Sequence, residues 1–136
     1  MEEEGFQAPG SIRRDPAEVA VEPIIICDEL YLRLGDDELL VIDCREASEW
    51  ERYEFHIPGA LRMTAVEIAR DLHMLPDDEL IVLCGCSPDG MDMRRVCRLL
   101  RMRGREAVCL EGGLQAWVTG GYPTERHSRP QAAMQH

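Results

Sequence analysis

Short runs of apolar residues alternate along the chain with stretches whose apolar positions recur every three or four residues, predicting alternating strands and helices. The predicted strands are Ile24 to Ile26, Leu39 to Asp43, Ala60 to Arg62, Leu80 to Cys84 and Ala107 to Leu110. The most hydrophobic of them lack polar alternation, as expected of strands covered on both faces. Helices are predicted over Asp28 to Leu34, Ser48 to Tyr53, Ala65 to Leu72, Met93 to Arg103 and Leu114 to Val118. In the fourth, Met93, Val96, Cys97 and Leu100 stand at i, i+3, i+4 and i+7, and Gly104 supplies a C-terminal stop. This alternation is the mark of βαβ units, so the fold class is α/β, with a five-stranded, mostly parallel sheet carrying helices on both faces.

The flanks lack periodicity. Residues 1–22 are acidic and interrupted by proline, residues 124–136 are polar, and both are expected to be mobile tails around one domain at 23–123. A chain of 136 residues, 45% of them hydrophobic, can bury one core and has no room for a second domain. No apolar run approaches the roughly 20 residues that span a bilayer, and the start is acidic where a signal peptide would be basic, so the expected location is cytoplasmic.

Charge narrows the partners. A formal net charge of -11 repels nucleic acid and anionic membrane surfaces, leaving small molecules and proteins. Every basic side chain except histidine is an arginine, and six arginines fall between Arg94 and Arg105. Their simplest reading is a solvated helix face. The six cysteines sit mostly in strands or on an apolar helix face, and Cys84-Gly85-Cys86 is the one close pair, short of a usual zinc pattern. Neither a disulfide framework nor a metal is implied.

Two motifs carry a family resemblance. Val41-Ile42-Asp43-Cys44-Arg45-Glu46, then Glu49-Trp50, then His56-Ile57-Pro58-Gly59-Ala60, is similar to the first rhodanese signature. Glu111-Gly112-Gly113-Leu114-Gln115-Ala116-Trp117, followed by Gly121-Tyr122-Pro123, resembles the second. Together they cover about residues 24–123, with a strand, a cysteine loop and a helix between them. The chain is thus identified as resembling a single rhodanese-like domain. Independently of the family, Asp43 and Arg45 at a strand's carboxyl end can form a bidentate pair and fix the ligand crevice. Their simplest role is structural support. His56 reads as a loop-packing residue and Trp117 as a core anchor. Phe55 departs from the glycine common before the histidine, so the local loop is expected to be longer or tilted.

The resemblance implies a nucleophilic cysteine after the fourth strand, cradled by loop amides and by the positive end of the next helix. Here that loop reads Cys84-Gly85-Cys86-Ser87-Pro88-Asp89-Gly90-Met91-Asp92-Met93. Counting forward from the strand favours Cys84, and counting back from Leu99-Leu100 reaches Ser87 or, with a longer loop, Cys86. Cys86 is the preferred nucleophile, Ser87, Pro88, Asp89, Gly90, Met91 and Asp92 its active-site loop, and Asp43, Arg45, Arg94 and Arg95 its supports. The resemblance implies loop arginines that meet the substrate, in the phosphatase branch one six residues after the cysteine; that position here is Asp92, which also fits the N-cap of the Met93 helix. Arg94 or Arg95 could replace the missing cation.

What the family implies is sulfane sulfur transfer: a cysteine takes sulfur from a small donor or a persulfide-carrying protein and passes it to a thiol acceptor, with no metal or organic cofactor. Two carboxylates beside the thiol argue against thiosulfate. A catalytically weak binding or regulatory module is the second reading, and an arsenate reductase or phosphatase of the same fold the third. Loop amides aimed at the Cys86 sulfur, with a guanidinium nearby, would favour the enzyme. An ordinary turn over Ser87 to Gly90, with a buried or averted sulfur, would favour the module.

Overall fold

A computed structural model of the chain describes residues 23–127. The predicted tail at 1–22 and residues 128–136 lie outside the described residues. The strands are β1 (Ile24–Ile25), β2 (Leu39–Asp43), β3 (Phe55–His56), β4 (Leu61–Arg62), β5 (Leu80–Cys84), β6 (Ala107–Leu110) and β7 (Glu125–Arg126). The helices are α1 (Cys27–Arg33), α2 (Ala47–Arg52), α3 (Ala65–Arg70), α4 (Met91–Met102) and α5 (Gly113–Thr119), with a 3-10 turn at Leu72–Met74.

The five predicted strands form one sheet in the order β1-β6-β5-β2-β4, and every pairing in it is parallel. At its centre β2 and β5 run in register from Leu39 opposite Leu80 to Asp43 opposite Cys84. The sequence makes this pairing buried by supplying apolar side chains to both faces. One face packs Ile42, Ile81 and Leu83 against Met93, Val96, Cys97 and Leu100 of α4 and Ile68 of α3. The other packs Val41, Val82 and Cys84 against Leu30 of α1 and Leu114 and Trp117 of α5. Trp117 is fully buried, and its indole N–H donates to the Pro123 carbonyl at 2.7 Å.

Two short strands escape the hydrophobic pattern. β3 and β7 pair antiparallel, Phe55 opposite Arg126 and His56 opposite Glu125. Residues 124–127, expected to begin a mobile tail, therefore close back on the domain. His127 stacks on Trp50 with ring centroids 3.7 Å apart and shares a 2.9 Å contact between its Nδ1 and that of His56. The cause is aromatic and polar contact, which a hydrophobicity profile cannot register.

Candidate functional site

The carboxyl ends of β2 and β5 lie side by side, so the loops leaving them share one rim, where open parallel sheets place their ligand sites. Asp43 and Arg45 hold the first loop. Arg45 Nε and Nη2 donate to the two Asp43 oxygens at 2.9 and 2.7 Å, and both side chains are essentially buried. Burial opposes the Arg45 charge, but the bonds to Asp43 outweigh it and push its pKa up. The remaining guanidinium hydrogens reach the carbonyls of Phe55 at 3.0 Å and Tyr53 at 3.5 Å. A buried bidentate pair thus anchors the segment carrying Tyr53 and Phe55.

The second loop leaves β5 at Cys84, which is fully buried and whose pKa is pushed far up by desolvation. Gly85 then passes its carbonyl to the Leu114 N–H at 2.8 Å, docking the start of α5 against the loop. Gly113 has φ +62, and a Cβ there would lie 2.6 Å from that same carbonyl, so the contact needs glycine. Cys86 is half-buried and shares a pocket of about 260 Å3 with Tyr53, Phe55, Leu114, Gln115, Val118 and Thr119. Of the two cysteines in doubt, Cys86 alone borders this pocket.

Around Cys86 the loop takes the ordinary turn that the sequence gives as the mark of a binding module, although Cys86 itself borders the pocket. Ser87 to Gly90 closes as a turn, with the Gly90 N–H on the Ser87 carbonyl at 3.0 Å. The N–H groups of Cys86 and Ser87 donate to Asp92 Oδ2 at 2.9 and 3.1 Å, and the Ser87 hydroxyl donates to Oδ1 at 2.8 Å. The amides expected to cradle sulfur are held by a carboxylate. Asp92 is consequently not the N-cap: α4 begins at Met91 with Gly90 in the cap position, and Asp89 accepts the Met91 N–H at 3.0 Å. That bond holds the Asp89 carboxyl below its ordinary pKa, helped by Arg95. Asp92 bonds backwards because the left-handed Gly90 starts the helix early and turns the carboxylate onto the loop.

The cations fall differently too. Arg95 is exposed beside Asp89, and the Arg94 side chain runs near Gly90. The cation acting on Cys86 is Arg45, and the opposing charges are Glu49 and Asp92. Cys86 Sγ donates to Glu49 Oε1 at 3.4 Å. Desolvation, the Glu49 bond and charge, and then Asp92 push the thiol to about 12, with Arg45 acting in the opposite sense. At neutral pH this is a thiol with a carboxylate partner and not a standing thiolate.

In the sequence Glu49 stands only within a motif, and nothing there marks Tyr53, Leu114, Gln115, Val118 or Thr119 as part of the site. A carboxylate facing a cysteine across 37 residues leaves no trace in local spacing. Among the described residues no cluster of three or more His, Cys, Asp or Glu is placed to hold a metal ion, and all six cysteines are free thiols. Alkylation by iodoacetamide is expected at Cys86 ahead of Cys84, because one borders an open pocket and the other is sealed in the sheet. Peptide mass mapping after brief labelling checks the order, and Cys84 labelled first would refute it.

Comparison with known proteins bears on the fold and the family. A family model described as Rhodanese-like domain matches residues 27–119. The chain is 32% identical over 131 residues to thiosulfate/3-mercaptopyruvate sulfurtransferase 2 of Arabidopsis thaliana, covering 76% of this chain but only 38% of the plant protein. It is 35% identical over 84 residues to YtwF of Bacillus subtilis (strain 168), a candidate sulfurtransferase, covering 61% of this chain and 77% of that protein. Among solved structures, the rhodanese-like domain of the Anabaena Alr3790 protein superposes with TM-score 0.64 at 31% identity, over 79% of this chain and 81% of that one.

Proposed function

Since the chain belongs to the rhodanese-like domain family, we propose that it moves sulfane sulfur through Cys86, taking it from a persulfide donor and passing it to a thiol acceptor. The observation that carries this reading is the position of the Cys86 thiol at the wall of the pocket, paired with Glu49. The donor is a small-molecule or protein-borne persulfide, not thiosulfate. Glu49 and Asp92 repel a dianion, the loop amides that would receive its sulfonate are occupied by Asp92, and the pocket wall of Tyr53, Phe55, Leu114 and Val118 suits an apolar body. The cysteine itself carries the sulfur, so no cofactor enters the reaction. Six free thiols fit the reducing cytoplasm. Among the described residues no helix is long and apolar enough to cross a membrane.

The second reading, a binding or regulatory module, draws on the same loop: with its amides engaged and its thiol near 12, Cys86 would rest unreacted above a ligand pocket. A cyanide-release assay separates the two. Protein preincubated with glutathione persulfide is expected to release sulfur at least about tenfold faster than protein preincubated with thiosulfate, the equivalent of one weak repulsive contact. Mass spectrometry should find the added sulfur on the Cys86 peptide. No added sulfur on Cys86 from either donor would leave the module reading in possession.

A further inference from the structure

The proton on Cys86 has to leave before the sulfur can bond to anything, and at a pKa of about 12 water will not remove it quickly at neutral pH. One acceptor is already in place. Glu49 Oε1 receives the Sγ hydrogen at 3.4 Å, from the first turn of α2. Its side chain is 39% exposed, so a proton it takes can be exchanged with solvent. Arg52 Nη1 stands 3.9 Å from the same oxygen. The other charged groups acting on the sulfur are Asp92 on α4 and Arg45, which also feels Cys84. Asp92 is occupied by the Cys86 and Ser87 amides and the Ser87 hydroxyl, leaving Glu49 as the carboxylate in contact with the thiol.

We propose that Glu49 is a catalytic residue, the general base and then the general acid for sulfur transfer at Cys86. This rests on the sulfur-transfer reading above. As Sγ bonds to the outer sulfur of a persulfide R–S–SH, its proton passes to Glu49 Oε1. The S–S bond of the donor breaks, its electron pair leaves with the inner sulfur, and Glu49 returns the proton to that thiolate. The products are the Cys86 persulfide and R–SH, with atoms and charge balanced and no external oxidant or reductant. The reverse sequence delivers the sulfur to a thiol acceptor.

The carboxylate has two opposed effects on the same sulfur, and this makes the proposal testable. It raises the thiol pKa, so removing it enlarges the thiolate fraction. It also takes the proton, so removing it slows the transfer. In Glu49→Gln the midpoint of the pH profile for Cys86 alkylation is expected to fall by about one pH unit or more. Sulfur transfer from glutathione persulfide at neutral pH is nonetheless expected to fall about 100-fold, the lower range for loss of a general base. Glu49→Asp, which keeps the carboxylate, should recover part of the rate. A transfer rate that rises with the thiolate fraction in Glu49→Gln would overturn the proposal and leave the sulfur-transfer reading standing, since Glu49 would then only repel. An unchanged rate would do the same. Wild-type protein that gains no sulfur on Cys86 from the persulfide would remove the reading and the proposal together.

Discussion

Arg45→Met is expected to lower the free energy of unfolding by about 3 to 5 kcal/mol, because it strands the Asp43 carboxylate in the sheet without its partner. Asp43 and Arg45 are each 1% exposed, so neither can turn to water for compensation. The other hydrogen bonds on the Asp43 carboxylate come from Arg45 as well, from Nε to Oδ2 at 3.1 Å and from the amide at 3.2 Å. The loss should reach the site as well, since the guanidinium also holds the Tyr53 and Phe55 carbonyls behind two residues of the pocket wall. Replacing both partners with apolar residues, Asp43→Leu with Arg45→Met, is expected to cost less than Arg45→Met alone, because no buried charge is left unpaired. Denaturant unfolding of the two variants measures the difference. A single-variant loss under about 1 kcal/mol would mean that water reaches Asp43 and that the pair is not what anchors the rim.

The sheet, its helices and the supporting pair are legible in the sequence because each is fixed by a local signal. Leu80 to Cys84 is a continuous apolar run, Met93 to Leu100 repeats at helical spacing, and Asp43 and Arg45 are two residues apart at a strand end. What stays illegible depends on contacts between distant segments. Glu49 meets Cys86 from α2, His127 meets Trp50 from the far end of the domain, and Leu114 seats itself on the Gly85 carbonyl from α5. The start of α4 lies between these cases. Asp92 before an apolar stripe satisfies every rule for an N-cap, yet Gly90 at φ 71 lets the helix begin at Met91, and the carboxylate becomes an acceptor for the preceding loop.

That misplacement changes what Asp92 is expected to do. As an exposed cap it would contribute about 1 kcal/mol. As the acceptor for the Cys86 and Ser87 amides, the Ser87 hydroxyl and the Met93 amide at 2.7 Å, it ties the reactive loop to the helix. Asp92→Ala is therefore expected to cost about 2 to 3 kcal/mol in urea unfolding, the range for charge-assisted bonds whose amides regain some water. The thiol should respond in the opposite sense. Asp92 is one of the charges raising the Cys86 pKa, so its removal lowers that pKa and enlarges the thiolate fraction at neutral pH. Alkylation of Cys86 is expected to quicken about tenfold, the effect of one pKa unit. Asp92→Arg is not expected to create a sulfonate site, because the carboxylate it removes is what fixes the loop. A stable Asp92→Ala protein with unchanged alkylation would show that neither the loop geometry nor the thiol depends on this carboxylate, and Glu49 and desolvation would then account for Cys86 by themselves.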